Sequence, residues 1–150
     1  MDDVDRKILA ELQQDGRLTI TELAERVQLS VSPCHRRLRA LERSGVIAGY
    51  RAHLDAAALG LGFASLVFVT MRESDAVTVA RFEAAVVEVR EVVQAQRLFG
   101  DPDYLLRVVT PDLAAFQRLY DARLATLPGV QRLSSTLIMK DVVGDRPLPT

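Results

Sequence analysis

Four arginines, Arg36, Arg37, Arg39 and Arg43, fall within eight residues of one another, and Ser30, Ser32, Pro33, Cys34 and His35 stand just ahead of them. Guanidinium groups at this density are suited to chelating carboxylates or phosphates. Arg36, Arg39 and Arg43 are spaced i, i+3, i+7, which puts them on one side of a helix. Residues 30–51 hold five bases (the four above and Arg51) against one acid, Glu42, a net charge of +4. Residues 1–29 hold four bases against seven acids, and the rest of the chain holds ten against twelve. The whole chain carries -1. The positive charge is therefore local. A uniformly basic tail and an acidic disordered chain are excluded, and a basic face that meets DNA phosphates is not.

Helical geometry sharpens this. At ~100° per residue from Cys34, Leu38 falls near ~40° and Leu41 near ~340°, while Ser32, Arg36, Arg39, Ala40 and Arg43 fall between about 140° and 240°. An apolar back and a cationic front are what a recognition helix in the major groove requires. Side chains near its N-terminal end reach base edges, so Ser32, Pro33, His35 and Arg36 are expected at or near bases. Arg39 and Arg43 are expected on phosphates, and Ser30 opens the helix beside them. Arg37 flanks the apolar stripe and is open to a structural role. Alone, such a run reads more readily as a solvated face; a capping-box helix, a short turn and a basic helix together point to DNA binding.

Cys34 and His35 invite a catalytic or metal reading. Neighbours on a helix point ~100° apart, so His35 is not placed to activate the thiol. Cys34, His35 and His53 lack metal-ligand spacing. Cys34 reads as a packed thiol, with a redox sensor beneath the helix as the alternative. As the only cysteine it forms no intramolecular disulfide. No catalytic residue, cofactor or metal is expected.

A second focus is Gly100-Asp101-Pro102-Asp103-Tyr104. Turn amides can hold a carboxylate and an aspartate can hold an ammonium, so the cluster suits an amino-acid zwitterion. On the residues alone an ordinary hairpin turn is the leading reading; for a ligand, Asp103 is preferred to Asp101 because the strand Tyr104-Leu105-Leu106 fixes its direction.

The elements that must position these residues follow from periodicity. Val4, Ile8, Leu9 and Leu12 form a helical stripe over 3–15, capped by Asp2 or Asp3 and stopped at Gly16. Thr19 and Glu22 form a capping box that opens a short helix carrying Leu23, Ala24 and Val27. Ser30 is an N-cap for a third helix, with Pro33 in its first turn, that ends at Gly45. About three residues separate the second and third helices, which is helix-turn-helix spacing. Val46 to Leu54 is expected as a strand leading out, and Gly60 and Gly62 mark a hinge. Then follow a strand at 63–71, a helix at 75–89, strands at 91–99 and 104–110, a helix from Thr110 to Leu127, and a strand at 130–140. The order β-α-β-β-α-β is the ferredoxin-like plan. The fold expected is α+β. A helix-turn-helix domain (1–50) is joined by a linker strand and hinge (51–62) to a ferredoxin-like domain (63–142), with a loose tail (143–150). The 150 residues, 49% apolar and 26% charged, suit this division. No apolar run approaches the ~18 residues of a membrane span, and no membrane partner is expected. A cytoplasmic setting is expected.

These residues resemble the Lrp/AsnC transcription regulators. Asp5-Arg6-Lys7-Ile8-Leu9, Asp15-Gly16-Arg17, Glu22-Leu23-Ala24, Leu29-Ser30, Ser32-Pro33-Cys34, Arg37-Leu38, Leu41-Glu42, Gly45-Val46-Ile47 and Gly49-Tyr50 match the first domain. Gly100-Asp101, Asp103-Tyr104-Leu105-Leu106 and Leu127-Pro128-Gly129-Val130 match the second. The resemblance implies dimers made through the sheets, which assemble into tetramers, octamers or larger rings. It also implies an amino-acid effector held between dimers by Gly100, Asp101, Asp103 and Tyr104 with Ser135, Thr136 and Ile138 of the last strand. Pro102, which stiffens the loop between the two acids, departs from the family pattern. The partners expected are double-stranded DNA, further copies of the chain and a small-molecule effector. Two other readings stand beside this one: a small amino-acid-binding metabolic enzyme, and an architectural DNA-binding protein that needs no effector.

Overall fold

The computed structural model describes residues 1–144 and 146–149. They form two compact units. Residues 1–54 and the described part of 142–150 make the first, and Asp55–Asp141 make the second.

The first unit is built from α1 (Asp3–Gln14), α2 (Ile20–Arg26) and α3 (Val31–Arg43). Asp2 caps α1 and Thr19 caps α2. Each accepts the amide three residues on, and the acid at that position reaches back to the cap amide. These bonds hold the Asp2 and Glu22 carboxyls below their ordinary range, the largest contribution coming from the Asp5 and Thr19 amides respectively. Ile8, Leu23, Ala24, Cys34 and Leu41 close the core. The turn into α3 is tight because Gln28 takes a left-handed φ of 58°.

Residues 46–54, expected as a strand, form none. An extended segment becomes a strand only when its N–H and C=O groups meet a neighbouring strand, and no described segment pairs with this one. The expected hinge contains an ordered turn, in which Asp55 Oδ1 accepts from the amides of Ala57 and Ala58 at 2.8 and 3.2 Å. Part of the expected loose tail is also tied down. The Gln13 amide group donates to Leu148 O at 3.1 Å and accepts from Leu148 N at 2.6 Å, as a strand partner would. Asp145 and Thr150 of that tail lie outside the described residues.

The second unit holds β1 (Phe63–Met71), α4 (Ala76–Val87), β2 (Val92–Arg97), β3 (Tyr104–Thr110), α5 (Leu113–Leu119), a π-helical turn (Tyr120–Leu124) and β4 (Val130–Leu137). The sheet order is β2-β3-β1-β4, every neighbour antiparallel, as the ferredoxin-like plan requires. Alternate residues of β1 are buried: Ser65, Val67, Val69 and Met71. Val67, Val69 and Met71 pack with Phe82 and Val86 of α4 and Leu106 of β3. On the opposite face Leu66, Phe68 and Leu105 remain only half-buried. β2 stops at Arg97, short of Phe99, because Leu98 N donates to Asp103 O at 2.7 Å and closes the hairpin loop. β4 stops at Leu137 rather than Lys140.

Candidate nucleic-acid interface and ligand loop

α3 presents its arginines in three groups. On one flank Arg37 Nη1 meets Asp2 Oδ2 at 2.7 Å and Asp5 Oδ1 at 2.8 Å, tying α3 to the start of α1. On the other, Arg39 Nη1 meets Glu42 Oε2 at 3.0 Å and its Nε donates to His35 Nε2 at 3.4 Å. Between these flanks lie Arg36 and Arg43, both exposed, with no hydrogen bond or ion pair among the described residues. Internal carboxylates thus neutralise the flanks and leave the centre cationic, which is what a phosphate-bearing groove selects.

The start of α3 adds donors. Ser30 occupies the N-cap position yet its hydroxyl makes no capping bond. The reason is in the chain: the residue three beyond it is Pro33, which has no N–H to give. The Ser30 hydroxyl is thus left available beside exposed Ser32 and His35, while Pro33 is half-buried. An uncapped helix start also favours an anion. Cys34, in contrast, is fully buried, and burial pushes its thiol up. A protonated buried thiol is a packing residue rather than a nucleophile. Among the described residues, no three His, Cys, Asp or Glu side chains come together as a metal cluster.

In the second unit the loop after β2 is held by Asp103. Its carboxylate accepts the Met71 amide at 2.7 Å and its own amide donates to Val69 O at 2.9 Å. Asp103, which sequence reasoning prefers to Asp101 as the acid for a ligand, is therefore engaged within the fold. Tyr104 is turned inward, 3% exposed, with its ring 4.5 Å from Phe82 and its hydroxyl donating to Glu83 at 2.9 Å. Burial, then Glu83, push its phenol up to about 12. Asp101 is the available acid. Its side chain is 76% exposed, 4.0 Å from the Arg132 guanidinium and 3.4 Å from the Thr70 hydroxyl. Gly100, exposed and at φ 134°, precedes it, and the Asp101–Pro102 peptide is cis.

Within one chain the last-strand candidates stand apart from this loop. Register puts Ser135 opposite Val67 and Thr136 opposite Leu66, and Ile138 N bonds Ala64 O. The loop instead meets β1 at Val69 to Met71. Counted from Val69, two to five residues of strand, roughly 7–17 Å, lie between. Sequence reasoning missed Glu42, Tyr50, Thr70 and Arg132. Only Glu42 carried a local signal, its i+3 spacing from Arg39. The others arrive through the fold.

Residues 1–48 match the family described as winged helix-turn-helix DNA-binding, and residues 65–148 match the Lrp/AsnC ligand binding domain. The leucine-responsive regulatory protein of Salmonella typhimurium is 39% identical over 142 residues, 95% of this chain and 87% of its own length. The Bkd operon transcriptional regulator of Pseudomonas aeruginosa is 39% identical over 143 residues, 95% and 94% of the two chains. Among solved structures, a transcriptional regulator of Neisseria meningitidis in complex with L-Met superposes with a TM-score of 0.95 at 38% identity, covering 99% of this chain and 96% of that one. The chain therefore belongs to the Lrp/AsnC family of DNA-binding transcriptional regulators, a helix-turn-helix domain followed by the family's ligand-binding domain.

Proposed function

We propose that this regulator reads DNA with the centre of α3 and answers to a free amino acid at the loop following β2. The observation that carries the DNA reading is the sorting of arginines on α3. Arg36, near the helix start and without an internal partner, meets a base edge. Arg43, about two helical turns further on, meets phosphate, and Ser30, Ser32, Pro33 and His35 line the approach. Arg39 serves the backbone from the flank. Family membership over nearly the whole chain supports a regulator rather than an enzyme, working in the cytoplasm where the chromosome lies.

The Neisseria relative was solved with L-Met, which supports an amino acid as effector here. Asp101 offers a carboxylate to its ammonium, with Gly100 and the turn amides beside it. The chemistry needs more walls than one chain supplies, so we place Ser135, Thr136 and Ile138 on a neighbouring copy. The half-buried sheet face of Leu66, Phe68 and Leu105 is where a second copy packs, since a sheet with one bare apolar face gains by covering it. A two-fold dimer then reads a pseudo-palindromic site.

Binding to a duplex that the protein selects from a random pool tests the DNA assignment. Arg36→Ala is expected to weaken that duplex by about 1–3 kcal/mol, the worth of one good base contact. Arg43→Ala is expected to weaken selected and unrelated duplexes alike and to flatten the salt slope. Unchanged affinity in both variants would sink the assignment.

A further inference from the structure

On one flank of α3, His35, Arg39 and Glu42 follow one another at i, i+4 and i+7. Arg39 donates from Nε to His35 and from Nη1 to Glu42 Oε2, and the other Glu42 oxygen accepts the Tyr50 hydroxyl at 3.2 Å. Tyr50 comes from beyond the helix. Its ring lies at the α1–α2 turn, where Cδ1 stands 3.5 Å from the point a Cβ on Gly16 would occupy. Burial and the Glu42 carboxylate push the Tyr50 phenol up, so it stays a donor at neutral pH. The Glu42 side chain is only 26% exposed, while that of Arg39 is 60% exposed.

A carboxylate beside a DNA-contacting arginine acts in one of two ways: it competes with phosphate for the guanidinium, or it braces it. A competitor would cover the guanidinium. Here two of its five N–H donors are engaged, three remain, and the group stays open to solvent. A tethered arginine also has less rotamer freedom to lose when it binds. We propose that Glu42, itself held by Tyr50, is a positioning residue for DNA recognition that fixes Arg39 on the flank of α3 with its remaining donors toward one phosphate. This rests on the reading of α3 as the DNA-contacting helix. Glu42 also sets an acid near the DNA, which opposes any complex in which Arg39 does not neutralise it. The device therefore raises discrimination more than bulk affinity.

Fluorescence anisotropy with the full chain, on the selected duplex and on an unrelated one, tests this. Tyr50→Phe removes a single hydroxyl and keeps the ring. It should weaken the selected duplex by about threefold to tenfold, the loss expected for one ordinary net hydrogen bond. The unrelated duplex should stay within about twofold. Glu42→Gln should strengthen the unrelated duplex and lower the ratio between the two. The decisive readout is the Arg39→Ala background, where Tyr50→Phe should cost nothing further. An equal cost in both backgrounds would mean that Tyr50 acts only on the fold of the unit, and the proposal falls. A gain, or no change, on the selected duplex in Tyr50→Phe would make Glu42 a competitor or a bystander, and the proposal falls again. If Arg36→Ala and Arg43→Ala also leave binding unchanged, the assignment of α3 fails first. If those two weaken binding and Tyr50→Phe does not, only the positioning role fails.

Discussion

Replacing Asp103 separates a residue that builds the ligand loop from one that touches the ligand. Its carboxylate accepts the Met71 amide at 2.7 Å from a half-buried position, pinning the end of β1 to the loop before β3. Asp103→Ala leaves that amide without its acceptor. A hydrogen bond to a charged group contributes about 1.5–3 kcal/mol, and partial exposure puts this one at the lower end, about 1.5–2 kcal/mol. In a domain of this size each kcal/mol lowers Tm by about 4–8 °C, so the expected fall is about 6–16 °C. Asp103→Asn keeps an acceptor oxygen in the same place and should recover more than half of the loss. Asp101, exposed and only loosely contacted, should behave in the opposite way. Asp101→Ala should leave Tm within about 4 °C, the shift expected for a surface change worth less than ~0.5 kcal/mol. It should raise the Kd of the bound amino acid by about tenfold, the equivalent of one charge-assisted bond of ~1.4 kcal/mol. Differential scanning calorimetry supplies the first quantity, and isothermal titration across the free amino acids supplies the second. Asp103→Ala melting with the unaltered protein, or Asn costing as much as Ala, would refute the clamp. No heat from any amino acid would refute the effector reading itself.

Two other outcomes follow from the same geometry. Light scattering at micromolar concentration should find an even-numbered oligomer, and Phe68→Glu, which puts a charge in the middle of the bare sheet face, should shift it toward monomer; a monomeric unaltered protein would remove the sheet-face dimer. Gly129 and Gly45 both take left-handed backbone, φ 72° and 76°, but a Cβ at Gly129 would run into Thr78 and Met71 whereas one at Gly45 meets nothing. Gly45→Ala should therefore cost about 1 kcal/mol of stability from strain, and Gly129→Ala about 2–4 kcal/mol once overpacking is added, as read by urea unfolding. Equal costs would show that the core relaxes around the new methyl.

Much was legible in the chain because its determinants are local. Thr19 and Glu22 write a capping box, Asp2 or Asp3 was legible as the cap of α1, and the apolar stripes of α1 to α3 repeat at helical spacing, so helix starts and buried faces could be read without a partner. The lone cysteine on an apolar stripe read as buried for the same reason. Tertiary structure decided what depends on residues far apart in the chain. Nothing near Arg37 in sequence announces that Asp2 and Asp5 will claim it, 35 and 32 residues away. Helical angle already set Arg36 on the cationic front and Arg37 beside the apolar stripe, but only packing supplied the acids that tie Arg37. Asp101 and Asp103 flank a proline almost symmetrically, yet antiparallel pairing of β1 with β3 brings the Met71 amide to Asp103 and leaves Asp101 facing Arg132 across the sheet. Residues 46–54 carry a strand-like pattern and form no strand, since a strand is a property of two segments and a sequence pattern describes one. Periodicity is written in bonds between near neighbours, whereas the assignment of a charge to a structural or a binding role is made by whichever group the folded chain brings within about 3 Å of it.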